Sequence, residues 1–266
     1  MLKFFRNIRR QLATENKVAK YLRYAIGEIL LVVIGILIAL QINNWNESRK
    51  DRIKENSILN QLLIEFKSNL DQLDNKIFIR EEIVKSASNI LQYIDSPKKN
   101  KDSTDFHIAV TIGYATFDPI VNDLAKSGNL RLIKSDSLKQ LLSFWTSEVV
   151  QITESEETWK KYRDEVYLPF LIEHYQLRTG RNKLIKSNYL KKFQIDKKAV
   201  SPLFKSGIGN TKHNEDFTRL LLHPDYEDHL VRCIITNNIA NVQSVILRKR
   251  IVEILDLLDI EIKENE

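Results

Sequence analysis

Between residues 29 and 40 every position is apolar or glycine, with no polar stripe on any face of a helix drawn through them. The buried helix of a soluble core usually keeps such a stripe. The nineteen residues 24–42 form a helix about 28 Å long, close to the hydrocarbon thickness of a bilayer. The pattern predicts a transmembrane helix over residues 24–42. Further on, residues 47–95 contain no Gly or Pro, and Leu59, Leu63, Phe66, Leu70, Leu73, Ile77, Arg80, Val84, Ala87, Leu91 and Ile94 alternate in steps of four and three. This is a heptad seam with one charged interruption, and it predicts a long helix over about 47–95 that stops at Ser96-Pro97.

The remaining elements follow from breakers and caps. A shorter helix is expected over residues 104–114, with a strand left open by the β-branched run at 108–112. Asp118-Pro119 reads as an N-cap and first turn, closed by Ser127-Gly128. Ser135 or Asp136 opens a second long helix, about 136–177. There Leu138, Leu142, Trp145, Val149, Ile152 and Trp159 keep the alternation if Glu156 is skipped; Pro169 kinks it and Thr179-Gly180 stops it. Residues 181–213 read as a basic connection, and residues 216–222 as a short helix. A last long helix runs over about 225–262, with Ile235, Ile239, Val242 and Ile246 on one face, then Ile251, Ile254 and Leu258. The fold class expected is all-α: an N-terminal transmembrane helix, then long antiparallel helices forming an extracytoplasmic bundle or coiled coil over residues 43–266. The first long helix either packs within the chain, which the other amphipathic helices favour, or pairs with a second copy.

Charge orients this scheme. The chain carries 41 Lys and Arg against 35 Asp and Glu. Residues 1–23 hold Lys3, Arg6, Arg9, Arg10, Lys17, Lys20 and Arg23 against Glu15, which is the whole of the +6 surplus, so the other 243 residues balance. A nucleic-acid partner needs a net basic face on the folded domain, and nothing is left to build one. Basic residues stay on the cytoplasmic side of a span, and only Arg49, Lys50, Arg52 and Lys54 follow at a similar distance. Residues 1–23, with Leu2, Phe5, Ile8 and Leu12 at helical spacing, are expected as a cytoplasmic amphipathic segment on the inner leaflet. Tyr24 and Ile42 bound the span, and Tyr21, Tyr24 and Trp45 stand at headgroup level. The expected place is a bacterial inner membrane, crossed once, with the C-terminal domain periplasmic. Cys233 is the one cysteine, so no intramolecular disulfide forms, and it reads as a small buried apolar residue.

The run Tyr24-Ala-Ile-Gly-Glu-Ile-Leu-Leu-Val-Val-Ile-Gly-Ile-Leu-Ile-Ala-Leu-Gln-Ile-Asn-Asn-Trp-Asn-Glu47, preceded by Phe4-Phe5-Arg6 and Glu15-Asn16-Lys17, resembles the signature of a family of uncharacterised single-span proteins of the Bacteroidetes. Leu124-Ala-Lys-Ser-Gly-Asn-Leu-Arg-Leu-Ile-Lys-Ser-Asp-Ser-Leu138 is similar to a second block of that family. The resemblance implies an N-terminal anchor and a helical extracytoplasmic part. It carries over no catalytic or binding residue, because that family's domain has no known function.

Candidate chemistry is sparse. Gly27, Gly35 and Ala39 lie along one stripe of the span, which permits close helix approach but is also ordinary span composition. Glu28 stands near the cytoplasmic edge, within reach of headgroup water or a basic partner. Gly207-Ile-Gly-Asn-Thr-Lys212 lacks the spacing of a phosphate loop. His223, Asp225, Glu227, Asp228 and His229 crowd together as metal ligands do, although acidic residues in a first turn already suit the helix dipole. Trp145, Trp159, Tyr162 and Phe170 line either a groove or the core. No enzyme, cofactor or metal site is expected. The pattern points to an anchored interaction or scaffold module binding a protein partner or a second copy, or else to a sensing bundle that signals through a partner.

Overall fold

The computed structural model describes residues 18–96, 101–120, 129–187, 189, 208–213 and 217–265, and every regular element among them is helical. In chain order these are α1 (Val18–Asp95), α2 (Lys101–Thr111), a 3-10 turn (Asn129–Leu132), α3 (Asp136–Tyr162), a π turn (Arg163–Tyr167), α4 (Leu168–His174), α5 (Leu177–Lys186), α6 (Phe217–Leu221) and α7 (Pro224–Asn265). The protein is all-α, as the apolar spacing and the scarcity of Gly and Pro predict. Two compact units divide it, Met1–Ser57 and Ile58–Glu266, the boundary falling inside α1.

In the first unit the large apolar residues from Ile26 to Ile42 are each 45–73% exposed. A Cβ built on Gly27 or Gly35 meets nothing within 4 Å. Tyr24, Ala39 and Trp45 are exposed and Glu28 is half-buried. Of the amphipathic segment expected over residues 1–23, residues 1–17 lie outside the described residues and residues 18–23 form the start of α1.

The second unit is a bundle of α1, α3 and α7 with two apolar cores. The first joins Leu59, Leu62, Phe66 and Leu73 of α1 to Trp145 and Ile152 of α3 and to Leu247, Ile251, Ile254 and Leu258 of α7. The second joins Ile83, Ala87 and Ile90 to Trp159, Tyr167, Leu230 and Cys233. The pairing order sets the directions. Phe66 meets Trp145 and Arg80 meets Glu156, so α1 and α3 run the same way. Asp74 meets Arg248 while Arg80 reaches Asn241, so α7 runs against them. The antiparallel arrangement expected from the sequence holds for α7 against its neighbours, and the chain returns between α1 and α3 through α2 and an extended strap, residues 113–120.

Several expectations are corrected in detail. On α1 the line Leu59, Phe66, Leu73, Arg80 and Ala87 is buried, but its companion runs through Leu62, Asn69, Ile83 and Ile90. Leu63, Leu70, Ile77, Val84 and Leu91 are half-buried on the flank. A face pressed by two helices is wider than a two-helix seam, and its centre moves to the side where Asn69 finds peptide partners. Of the helix expected from Asp118-Pro119, residues 118–120 carry no helical structure, and the rest, through Ser127-Gly128, lies outside the described residues. Gly180 does not stop a helix. It sits inside α5, where a Cβ would stand 2.9 Å from the Asp105 carbonyl oxygen and 3.0 Å from the Ala109 Cβ, so glycine lets α5 lie close on α2.

Proline explains the interruption after α3. Pro169 has no N–H and its ring crowds the carbonyl four residues back, and the helix accommodates this by widening into the π turn at Arg163–Tyr167. The helix then ends at Tyr175, in extended conformation with φ −152°, close to the expected end. The stretch at 108–112 is helical through Thr111, not a strand. On α7 the face Ile235, Ile239, Val242 and Ile246, expected in the core, is 50–63% exposed. The buried line is instead Leu230, Cys233, Asn237, Ala240, Ser244 and Leu247. Among them Ser244 accepts a hydrogen bond from Arg80.

Candidate functional site

Three features carry chemistry or surface beyond ordinary packing. The first is a buried polar hub where α1, α3 and α7 pass from one core to the other. Arg80, 1% exposed, is ion-paired with Glu156. It also donates to Asn241 Oδ1 at 2.7 Å, to Ser244 Oγ at 2.7 Å and to the Ala115 carbonyl at 3.2 Å. The second Glu156 oxygen accepts the Phe117 N–H at 2.6 Å. Burial pushes the Glu156 carboxyl up, opposed by the Arg80 charge and the Phe117 N–H. Burial likewise lowers Arg80 and Lys76, each opposed by Glu156.

The hub grips the strap by its peptide groups. Trp159 Nε1 donates to the Gly113 carbonyl at 2.9 Å, Arg163 to that of Ile112 at 3.2 Å. Further along, the Gln72 amide exchanges two bonds with Asp118, each 2.8 Å, and the Asn69 amide two with Ile120, at 2.8 and 2.9 Å. Residues three apart on a helix thus pair with residues two apart on an extended chain, as a neighbouring strand would. Ala115 and Phe117 point inward while Tyr114, Asp118 and Ile120 are exposed, which is the strand alternation.

The second feature is a histidine–aromatic cluster beside the π turn. The Phe170 ring lies 4.4, 4.7 and 5.0 Å from those of His229, His174 and His223. His229 Nδ1 stands 2.7 Å from the Tyr162 hydroxyl. Burial lowers the His229 pKa, opposed by Asp225 and Asp228 and reinforced by His223. Burial also lowers that of His107, which contacts Ser86 Oγ at 3.1 Å. Both are therefore harder to protonate folded than unfolded. As pH falls through about 6.5 the unfolded chain takes up protons first, so the stability present above that pH is lost below it. Thermal melts at pH 7.5 and 5.5 should show the loss, and His229→Gln should reduce the difference between them.

The residues that crowd together in the sequence at 223–229 part in the fold: His229 turns into the cluster while Asp225, Glu227 and Asp228 are exposed. Among the described residues no three His, Cys, Asp or Glu side chains gather to hold a metal ion. Nor do the four aromatics share a groove. Trp145 is wedged against Phe66 and Phe117 in one core, and Trp159 lies against Tyr162 and Tyr167 in the other.

The third feature is apolar surface. Among the described residues two helices are long and apolar enough to cross a membrane, the stretch of α1 beginning at Tyr24 and α7. The α1 window is wholly unburied, whereas α7 has much of its own window in the cores and the rest on its outer face. Residues 28–125 match a family of unknown function, DUF6090. The DUF6090 match takes in the apolar stretch, the α1 face with Asn69, Gln72 and Arg80, α2 and the strap; Glu156 and α7 lie beyond it. No curated protein and no solved structure matches the chain.

The Arg80–Glu156 pair was visible in the sequence as two oddities. Arg80 is the one charge in the α1 seam, and Glu156 is the residue skipped in the α3 alternation. Opposite charges interrupting two apolar seams are the signal that the helices face each other there.

Proposed function

We propose that the chain is a membrane-anchored interaction module. Its apolar N-terminal helix lies in a bacterial inner membrane with the basic leader in the cytoplasm, and its helical domain stands in the periplasm and binds protein. The observation that carries the reading is the uncovered apolar row of α7, where Val231, Ile235, Ile239, Val242 and Ile246 stand exposed at helical spacing. The uncovered apolar stretch of α1 supports the anchor, and the basic surplus before it supports the orientation. The resemblance to single-span proteins of the Bacteroidetes points the same way. We place no catalytic step on the chain: the hub's charged groups are spent on peptide groups, Asn241 and Ser244.

A photo-crosslinking residue at Val242 of the full-length protein, in intact cells, tests this. Adducts to protein are expected; adducts to lipid alone would refute the reading. A reporter at the C-terminal end should be active on the periplasmic side. A second reading, a sensing bundle signalling through a partner, is favoured by the three histidines around Phe170 beside a π turn, a feature frequent at functional sites. Under it the crosslinks change between pH 7.5 and 5.5.

A further inference from the structure

The geometry points to a binding site for one divalent cation of the class that prefers nitrogen ligands, Cu²⁺, Ni²⁺ or Zn²⁺, between His174 and His223. The site goes beyond the proposed interaction surface and does not depend on it, since neither histidine belongs to the α7 row.

His174 is the last residue of α4, and His223 stands in the turn between α6 and α7. Their ring centroids are 4.6 Å apart, with the planes at 40°. The Phe170 ring completes a triangle with them, 4.7 Å from His174 and 5.0 Å from His223. Two half-buried imidazoles are thus set side by side against one aromatic wall. His223 Nδ1 is shut off from water and forms no hydrogen bond among the described residues. A buried polar atom without a partner is an uncommon feature of a folded protein, and a bound ion is one of the things that satisfies it.

The separation of the rings fits one ion. An imidazole nitrogen binds these cations at about 2.0–2.1 Å, so two imidazoles in neighbouring coordination positions hold their centroids about 4.5–5 Å apart. His174 and His223 already stand at that separation. A half-turn of either ring about χ2 exchanges its nitrogen and carbon edges without moving the centroid. His229, the third histidine on Phe170, has its Nδ1 engaged by the Tyr162 hydroxyl at 2.7 Å and stays out of the set.

Two nitrogen donors select the class of ion. Imidazole suits Cu²⁺, Ni²⁺ and Zn²⁺, with Cu²⁺ bound most tightly, whereas Mg²⁺ and Ca²⁺ take oxygen. The remaining positions fall to water or to the exposed carboxylates close by in the chain, Glu173 next to His174 and Asp225 two residues beyond His223. An ion held here ties the end of α4 to the head of α7. Because the unfolded chain does not bring the two rings together, binding stabilises the fold.

The test uses the full-length protein in detergent micelles, without a histidine tag, titrated with Cu²⁺ alone and with Zn²⁺ alone. One Cu²⁺ per chain is expected in the tightest step, with a paramagnetic resonance spectrum that shows two imidazole nitrogens, and Zn²⁺ should raise the thermal midpoint. His174→Gln and His223→Gln should each weaken the Cu²⁺ step by at least about tenfold. His213→Gln, at an exposed histidine elsewhere, should leave it unchanged. Circular dichroism checks that each variant is folded, and the wild type gives a readout that needs no variant: diethyl pyrocarbonate should modify His174 and His223 without Zn²⁺ and spare them with it, while His213 reacts in both. No bound ion overturns the site. So does a spectrum with a single imidazole, a tight step indifferent to both substitutions, which is an adventitious ion only, or equal modification of the two histidines with and without Zn²⁺. None of these results bears on the Val242 crosslink, so the site and the interaction surface stand or fall separately.

Discussion

Replacing Glu156 by Ala is expected to lower the unfolding free energy by about 3–5 kcal/mol, because it leaves a guanidinium charge in the interior without its counterion. Arg80 keeps Asn241, Ser244 and the Ala115 carbonyl, which satisfy its donors but not its charge. The Phe117 N–H loses its acceptor at the same time, and an orphaned buried donor adds about 1–3 kcal/mol of desolvation within that total. Urea titration of the full-length protein in detergent measures the loss. Glu156→Gln should recover part of it, since an amide oxygen can still accept from Phe117. Pairing Arg80→Met with Glu156→Ala should cost less than the two single changes added together, because no lone charge remains. Additive losses would mean that the two groups are not coupled, and the hub would not be the seam between the cores.

Asn69→Ala is the next largest, at about 2–3 kcal/mol, while Gln72→Ala should cost about 1 kcal/mol or less. The two amides make the same pair of bonds to the strap. They differ in burial: Asn69 is 1% exposed and its bonds are partly buried, whereas those of Gln72 lie in the open, where water replaces them. Hydrogen exchange gives a second readout. The Ile120 amide should exchange much faster in Asn69→Ala, and the Asp118 amide only modestly faster in Gln72→Ala. Equal costs for the two would show that shielding from water does not set the strength of the clamp.

The all-helical class was legible because the long helices carry their own periodicity and punctuation, whereas the joining of the apolar stretch and the first bundle helix into one α1 was not. What failed shares one cause. Asp118-Pro119 has the chemistry of a helix start, but the peptide groups of residues 118 and 120 are claimed by amides some fifty residues earlier, which no local pattern encodes. Gly180 has the chemistry of a stop, but what decides its place is the Asp105 carbonyl, which leaves no room for a Cβ there. On α7 the row Ile235, Ile239, Val242 and Ile246 has helical spacing, yet it is exposed. The buried face is the one with Cys233, Ala240 and Ser244, whose hydroxyl accepts from Arg80. The α7 surface row was legible as residues but not as surface. The histidine cluster was not legible: His174, His223 and His229 are brought together by a turn that Pro169 forces.

Arg80 and Glu156 also stand far earlier in the polypeptide than the Ser244 hydroxyl that completes their enclosure, 164 residues beyond the arginine. A chain made from its N-terminus at about 5–20 residues per second therefore holds that pair unroofed for seconds. The domain cannot finish closing until its last helix has been delivered, and a polypeptide cut short before that helix keeps an ion pair open to water instead of a sealed core.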